Sequence, residues 1–144
     1  KSSWHGLSHH QGDPDKIAQL LKIDIYINQR FAYLLDRLQA VKEADGTTLL
    51  DNCLILQGCS LADGNRHWRK NLPLILAGHG GGLKQGQHIM LAKPPVQMQV
   101  GGSYKDGVPD GTTPTSNVFV SMLNAAGIST DRFADSTGPL KGLA

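Results

Sequence analysis

From Asp13 to about Ala44 apolar residues return at helical intervals, and this stretch constrains the fold more than any other feature of the chain. Ile17, Leu20, Leu21, Ile27, Phe31, Leu34, Leu35, Leu38 and Val41 fall three, four or seven residues apart, the spacing of one helical face. Asp13 suits the N-cap, Pro14 the first helical position and Asp15 the positive first turn. Asp45-Gly46 supplies a stop, with glycine free to take the left-handed conformation that closes a helix. A helix of about 30 residues is some 45 Å long, too long for a compact domain of 144 residues. Its apolar stripe needs a larger body to lie against. The stripe therefore predicts an exposed apolar patch on this chain alone, with Ile17, Leu21, Ile25, Phe31 and Leu35 as its candidates.

The rest of the chain reads as α/β. Residues 53–58 and 74–78 are short apolar runs without strict alternation, the pattern of central strands covered on both faces. The long connection between them predicts adjacent parallel strands. A third strand is expected around 87–91, and a helix over Ser116–Ala126 with Val118, Phe119, Met122, Leu123 and Ala126 on one side. Residues 1–13 read as a polar loop, 92–114 as a long surface loop and the tail from Arg132 as irregular. Strands covered on both faces need helices on both faces. Residues 1–144 are thus read as a C-terminal fragment of a larger α/β domain. The rival is a complete single domain, a small α+β fold.

Composition removes several function classes. Lys and Arg number 14 against 12 Asp and Glu, and the basic residues form no run, so no nucleic-acid surface is indicated. No apolar stretch reaches the roughly 18 residues of a membrane span. Cys53 and Cys59, six apart in one apolar run, would lie about 20 Å apart along a strand, beyond disulfide reach. Both are read as small buried hydrophobes. Neither a G-x-S-x-G elbow nor a phosphate-binding P-loop is present. The HGGG string at His79–Gly82 lacks a serine elbow and is read as a glycine turn.

The residues with chemical potential are histidines and an aspartate in loops. His5, His9 and His10 precede the long helix, and the loop after residue 58 carries Asp63, Asn65 and His67. In open α/β sheets ligands bind beyond the carboxyl ends of strands. Carboxylate oxygen and neutral imidazole nitrogen are ligands for divalent metals. Histidines beside a helix N-terminus also suit an anion such as a phosphate or sulfate ester. If His9, His10, Asp63 and His67 share one site, the side chains of His67 and of His9 or His10 must lie within about 8 Å of each other, since metal ligands converge on one ion.

Five segments carry a family resemblance: HGLSHHQGDPDKIAQLLKID, FAYLLDRLQ, LLDN, LADGNRHWRKNLPLILAGHGGGLKQGQHI and FADSTGPLKGL. Together they resemble the C-terminal third of the secreted bacterial proteins of domain-of-unknown-function family 1552. The resemblance spans most of the chain, is weakest at 92–112 and is most specific in DGNRH…NLPLILAG and RFADSTG. More distantly the layout resembles the alkaline phosphatase and sulfatase superfamily. There SHHQGD, GCSLADGN and NRHW would stand where that superfamily's relatives carry metal-binding loops. The resemblance implies the C-terminal portion of an alkaline-phosphatase-like three-layer α/β/α domain in a periplasmic or secreted protein. It implies hydrolysis of a phosphate or sulfate ester with a divalent metal ion such as zinc, and His9, His10, Asp63 and His67 as ligands. Its expected partners are the remainder of its own chain or another subunit, and an anionic ester substrate. Two departures stand out. Leu7 and Ser8 occupy the place of the acidic residue expected before the first histidine, and the Asp-His pair of phosphatases is not intact. The nucleophile of such enzymes would lie outside this sequence. The alternative function is a non-catalytic exported structural or binding protein that retains the fold.

Overall fold

The computed structural model describes residues 3–91 and 113–143. Most of the long loop expected at 92–114 therefore lies outside the described residues. The elements, in chain order, are α1 (Trp4–Ser8), α2 (Pro14–Ala40), β1 (Ile55–Gly58), β2 (Leu74–Ala77), a 3-10 turn at Gly80–Gly82 and α3 (Ser116–Ala125). The described residues fall into two compact units, one of residues 3–34 and 57–75, the other of 35–56, 76–91 and 113–143.

α2 begins where the sequence says it should. Asp13 Oδ1 accepts the backbone N–H groups of Asp15 at 2.9 Å and Lys16 at 3.2 Å, satisfying donors that the first turn cannot. The helix ends at Ala40, short of Asp45-Gly46. The chain there turns back on itself. Leu49 N–H donates to the Val41 carbonyl, Glu43 N–H to the Thr47 carbonyl, and Lys42 bridges Thr48 in antiparallel sense. Gly46, at φ 87°, is thus the apex of a small hairpin rather than a helix cap. No residue of α2 is buried. Of the five patch candidates, Ile17, Leu21 and Ile25 are exposed, at 40, 58 and 48%, while Phe31 and Leu35 are half-buried.

The two strands pair, but not as expected. Gly58 lies against Leu74 and Gly78 against Cys53, so opposite ends meet and the ladder is antiparallel. A parallel pair needs a crossover, usually helical. Residues 59–73 contain no helix; they fold into turns and a short antiparallel bridge, Asp63 to Trp68. The strands are also not covered on both faces: Ile75 is 48% exposed and Gly58 is open. Residues 87–91 form no strand. Gln87 Nε2 instead donates to the carbonyls of Lys84 and Gly142, and Lys84 N–H to that of Leu143. The coarse reading, helices with a small sheet, stands.

In the second unit the core is Leu83, Val118, Val120, Leu140 and Leu143. Of the face that its apolar spacing suggests, only Val118 is buried; α3 buries Ser116, Asn117, Val118, Val120 and Ser121. The tail takes that side with polar pairing. Asn117 Nδ2 donates to Thr137 Oγ1 at 3.0 Å while Thr137 N–H returns to Asn117 Oδ1 at 2.9 Å. Ser116 Oγ donates to Asp135 Oδ1 and Leu140 N–H to Ser121 Oγ. Phe119, Met122, Leu123 and Ala126 are left lining an open apolar groove with Leu54 and Phe133.

Candidate functional site

The site is built in the first unit from α1 and the loop after β1. Ser3 caps α1 by accepting the Gly6 N–H, so residues 4–8, expected as loop, form one short helix. On a helix, positions four apart share a face, and His5 and His9 meet there with ring centroids 4.7 Å apart, edge to face. Gly64 approaches α1 so closely that a side chain there would meet Ser8 Cβ at 3.0 Å. Past Gly64 the chain carries His67 in the left-handed region, at φ 53°. For a residue other than glycine that conformation is uncommon. His67 also reaches His9, ring centroids 4.9 Å apart, edge to face. The convergence of His67 with His9 that the sequence demanded is thus present in the structure.

A second tie joins the same two loops. Asn65 Oδ1 accepts the Gln11 N–H at 3.0 Å, and Asn65 N–H donates to Asp63 Oδ1 at 2.9 Å. Gln11 too is left-handed, at φ 51°.

The four residues expected to hold a metal do not come together as a set. His10 Nδ1 accepts the Gly12 N–H at 3.0 Å, and Asp63 Oδ1 is turned to its own loop. Among the described residues no three His, Cys, Asp or Glu side chains are grouped as metal ligands. His9 and His67 do meet, and His5, which sequence reasoning left out of the set, stands beside His9. Its signal was available: the interval from His5 to His9 is one helical turn. His9 and His67 are the two of the four that meet, and a metal centre there would need further ligands.

His79 Nδ1 is 3.2 Å from Asp51 Oδ1 in the second unit, and the expected glycine turn follows it. The Asp51 carboxyl is held below its ordinary 3.8 first by the Thr48 N–H, then by the Thr48 hydroxyl, then by His79. Asp45 is lowered likewise, by the Thr47 hydroxyl and then its N–H. Cys53 and Cys59 are free thiols; Cys53 is half-buried and Cys59 exposed, so neither is the buried hydrophobe expected.

Comparison of the chain with protein-family models, with curated proteins and with solved structures finds no match. No helix among the described residues is long and apolar enough to cross a membrane.

Proposed function

We propose that the chain is part of an exported phosphate- or sulfate-ester hydrolase-like protein, and that His9 and His67 contact the anionic ester. The observation that carries this reading is the meeting of two histidines from distant loops, one of them on a left-handed backbone. Unusual backbone conformations concentrate at functional sites. Imidazole N–H groups donate to anionic oxygens, and the loop bearing His67 continues into Arg69 and Lys70, both exposed. A divalent metal such as zinc would need ligands beyond these two histidines. The exported location, the membership of domain-of-unknown-function family 1552 and the three-layer architecture rest on the resemblance. The exposed side of α2 is where the remainder of the chain or another subunit would lie.

A second reading is favoured by the antiparallel ladder and by the internal use of His10 and Asp63: a non-catalytic exported structural or binding protein. One experiment separates the two. Inorganic phosphate and sulfate are titrated calorimetrically, and turnover of an aryl phosphate and an aryl sulfate is followed with and without zinc. Anion binding lost in His9→Ala and His67→Ala, together with turnover, supports the hydrolase-like reading. Binding without turnover supports the second. Anion binding indifferent to both substitutions removes the site.

A further inference from the structure

We infer that Asn65 is a positioning residue that fixes His67 against His9. The loop ending α1 and the loop after β1 are 54 residues apart at their tie, and one side chain bridges them. Asn65 Oδ1 takes the Gln11 N–H at 3.0 Å, and its own N–H is anchored 2.9 Å from Asp63 Oδ1. Asp63 is in turn fixed by its backbone bridge to Trp68, whose N–H donates to the Asp63 carbonyl at 2.9 Å. Asn65 is two residues from His67, and Gln11 two residues from His9. The bond thus ties the two loops two residues from each ring, and the backbones at Gln11 and His67 are left-handed. A left-handed residue other than glycine or asparagine relaxes unless its surroundings hold it. The Gln11–Asn65 bond supplies that hold where α1 has already ended.

The inference stands on geometry and needs no particular ligand; only its phosphate readout rests on the proposed ester site. The test uses the intact chain with histidine rings isotopically labelled, comparing wild type, Asn65→Ala and Asn65→Asp. Wild type shows a ring-to-ring nuclear Overhauser contact between His9 and His67. Asn65→Ala loses it while the amide spectrum of α3 is unchanged. Asn65→Asp keeps it, because a carboxylate oxygen still accepts the Gln11 N–H. Retention of the contact in Asn65→Ala, or its loss in a folded Asn65→Asp, overturns the inference. If Asn65→Ala fails to fold, Asn65→Ser takes its place: its shorter side chain does not reach the Gln11 N–H, and retention of the ring contact there overturns the inference. In the second readout inorganic phosphate binds Asn65→Ala about five- to tenfold more weakly, the size of one net hydrogen bond, and Asn65→Asp restores it. Absence of phosphate binding in wild type sinks the ester site and leaves the ring contact as the deciding measurement.

Discussion

His79 Nδ1 stands 3.2 Å from Asp51 Oδ1, while the other oxygen of that carboxylate accepts both the N–H and the hydroxyl of Thr48, at 2.8 and 2.7 Å. The carboxylate ties the turn after the 41–49 hairpin to the glycine turn after β2. Its folded pKa lies below the ordinary 3.8. A depressed carboxyl contributes stability that is present above the unfolded value and is lost as pH falls through the folded one. The expected outcome is that Asp51→Asn lowers the melting temperature near pH 6, and that the gap from wild type closes as pH falls below the ordinary 3.8. Melting curves across that range check it. A gap independent of pH would show that the charge is not what matters.

Two glycines with similar backbone angles should respond differently to alanine. Gly46, at φ 87°, has nothing within 4 Å of where a Cβ would stand, whereas Gly81, at φ 70°, would place it 2.0 Å from the Ala125 carbonyl oxygen. Gly46→Ala should cost about 1 kcal/mol, the strain of the left-handed region alone. Gly81→Ala adds a clash with backbone, and a loss above about 3 kcal/mol is expected. Urea unfolding of the two variants gives the comparison.

Val120 is fully buried and Leu21 is 58% exposed. Val120→Ala should therefore cost about 2 kcal/mol, between the Ile→Val and Leu→Ala ranges, and Leu21→Ala less than about 0.5 kcal/mol. A cost above about 1.5 kcal/mol at Leu21 would show that in solution something covers the apolar side of α2.

The reciprocal pair of Asn117 and Thr137 predicts a fourth effect. Asn117→Ala removes both bonds and leaves the Thr137 N–H and hydroxyl without their partner. A loss of about 1–3 kcal/mol is expected, with faster amide exchange at Thr137 and at Leu140. Unchanged exchange at Thr137 would mean that the tail is held without this pair.

The sequence was most legible where local physics decides. Asp13 and Pro14 placed the start of α2, and the helix read over Ser116–Ala126 is α3 at Ser116–Ala125. Legibility failed where distant partners decide. The apolar spacing of α3 pointed to Phe119 and Met122, but the buried side is chosen by hydrogen bonds to Asp135, Thr137 and Leu140, which no periodicity reports. Strand direction failed for the same reason. Residues 59–73 were long enough for a crossover and contained nothing to build one. Gly46 was read as a helix stop because hairpin and helix ends ask for the same left-handed residue. For the site, loop position brought out His9 and His67, which meet, while one atom each of His10 and Asp63 accepts a backbone N–H two residues on, a local bond that no spacing in the sequence reports.

The tie between Gln11 and Asn65 is lopsided: one end is main chain, the other a side chain. Every residue but proline presents the same N–H at position 11, so the bond places almost no demand on which amino acid stands there. Position 65 must carry an acceptor of one particular reach. Variation can therefore accumulate on one loop without disturbing its docking, while the other holds nearly all the information that keeps them together. At position 11 the remaining demand is the left-handed backbone, so Gly or Asn in place of Gln should be tolerated or preferred.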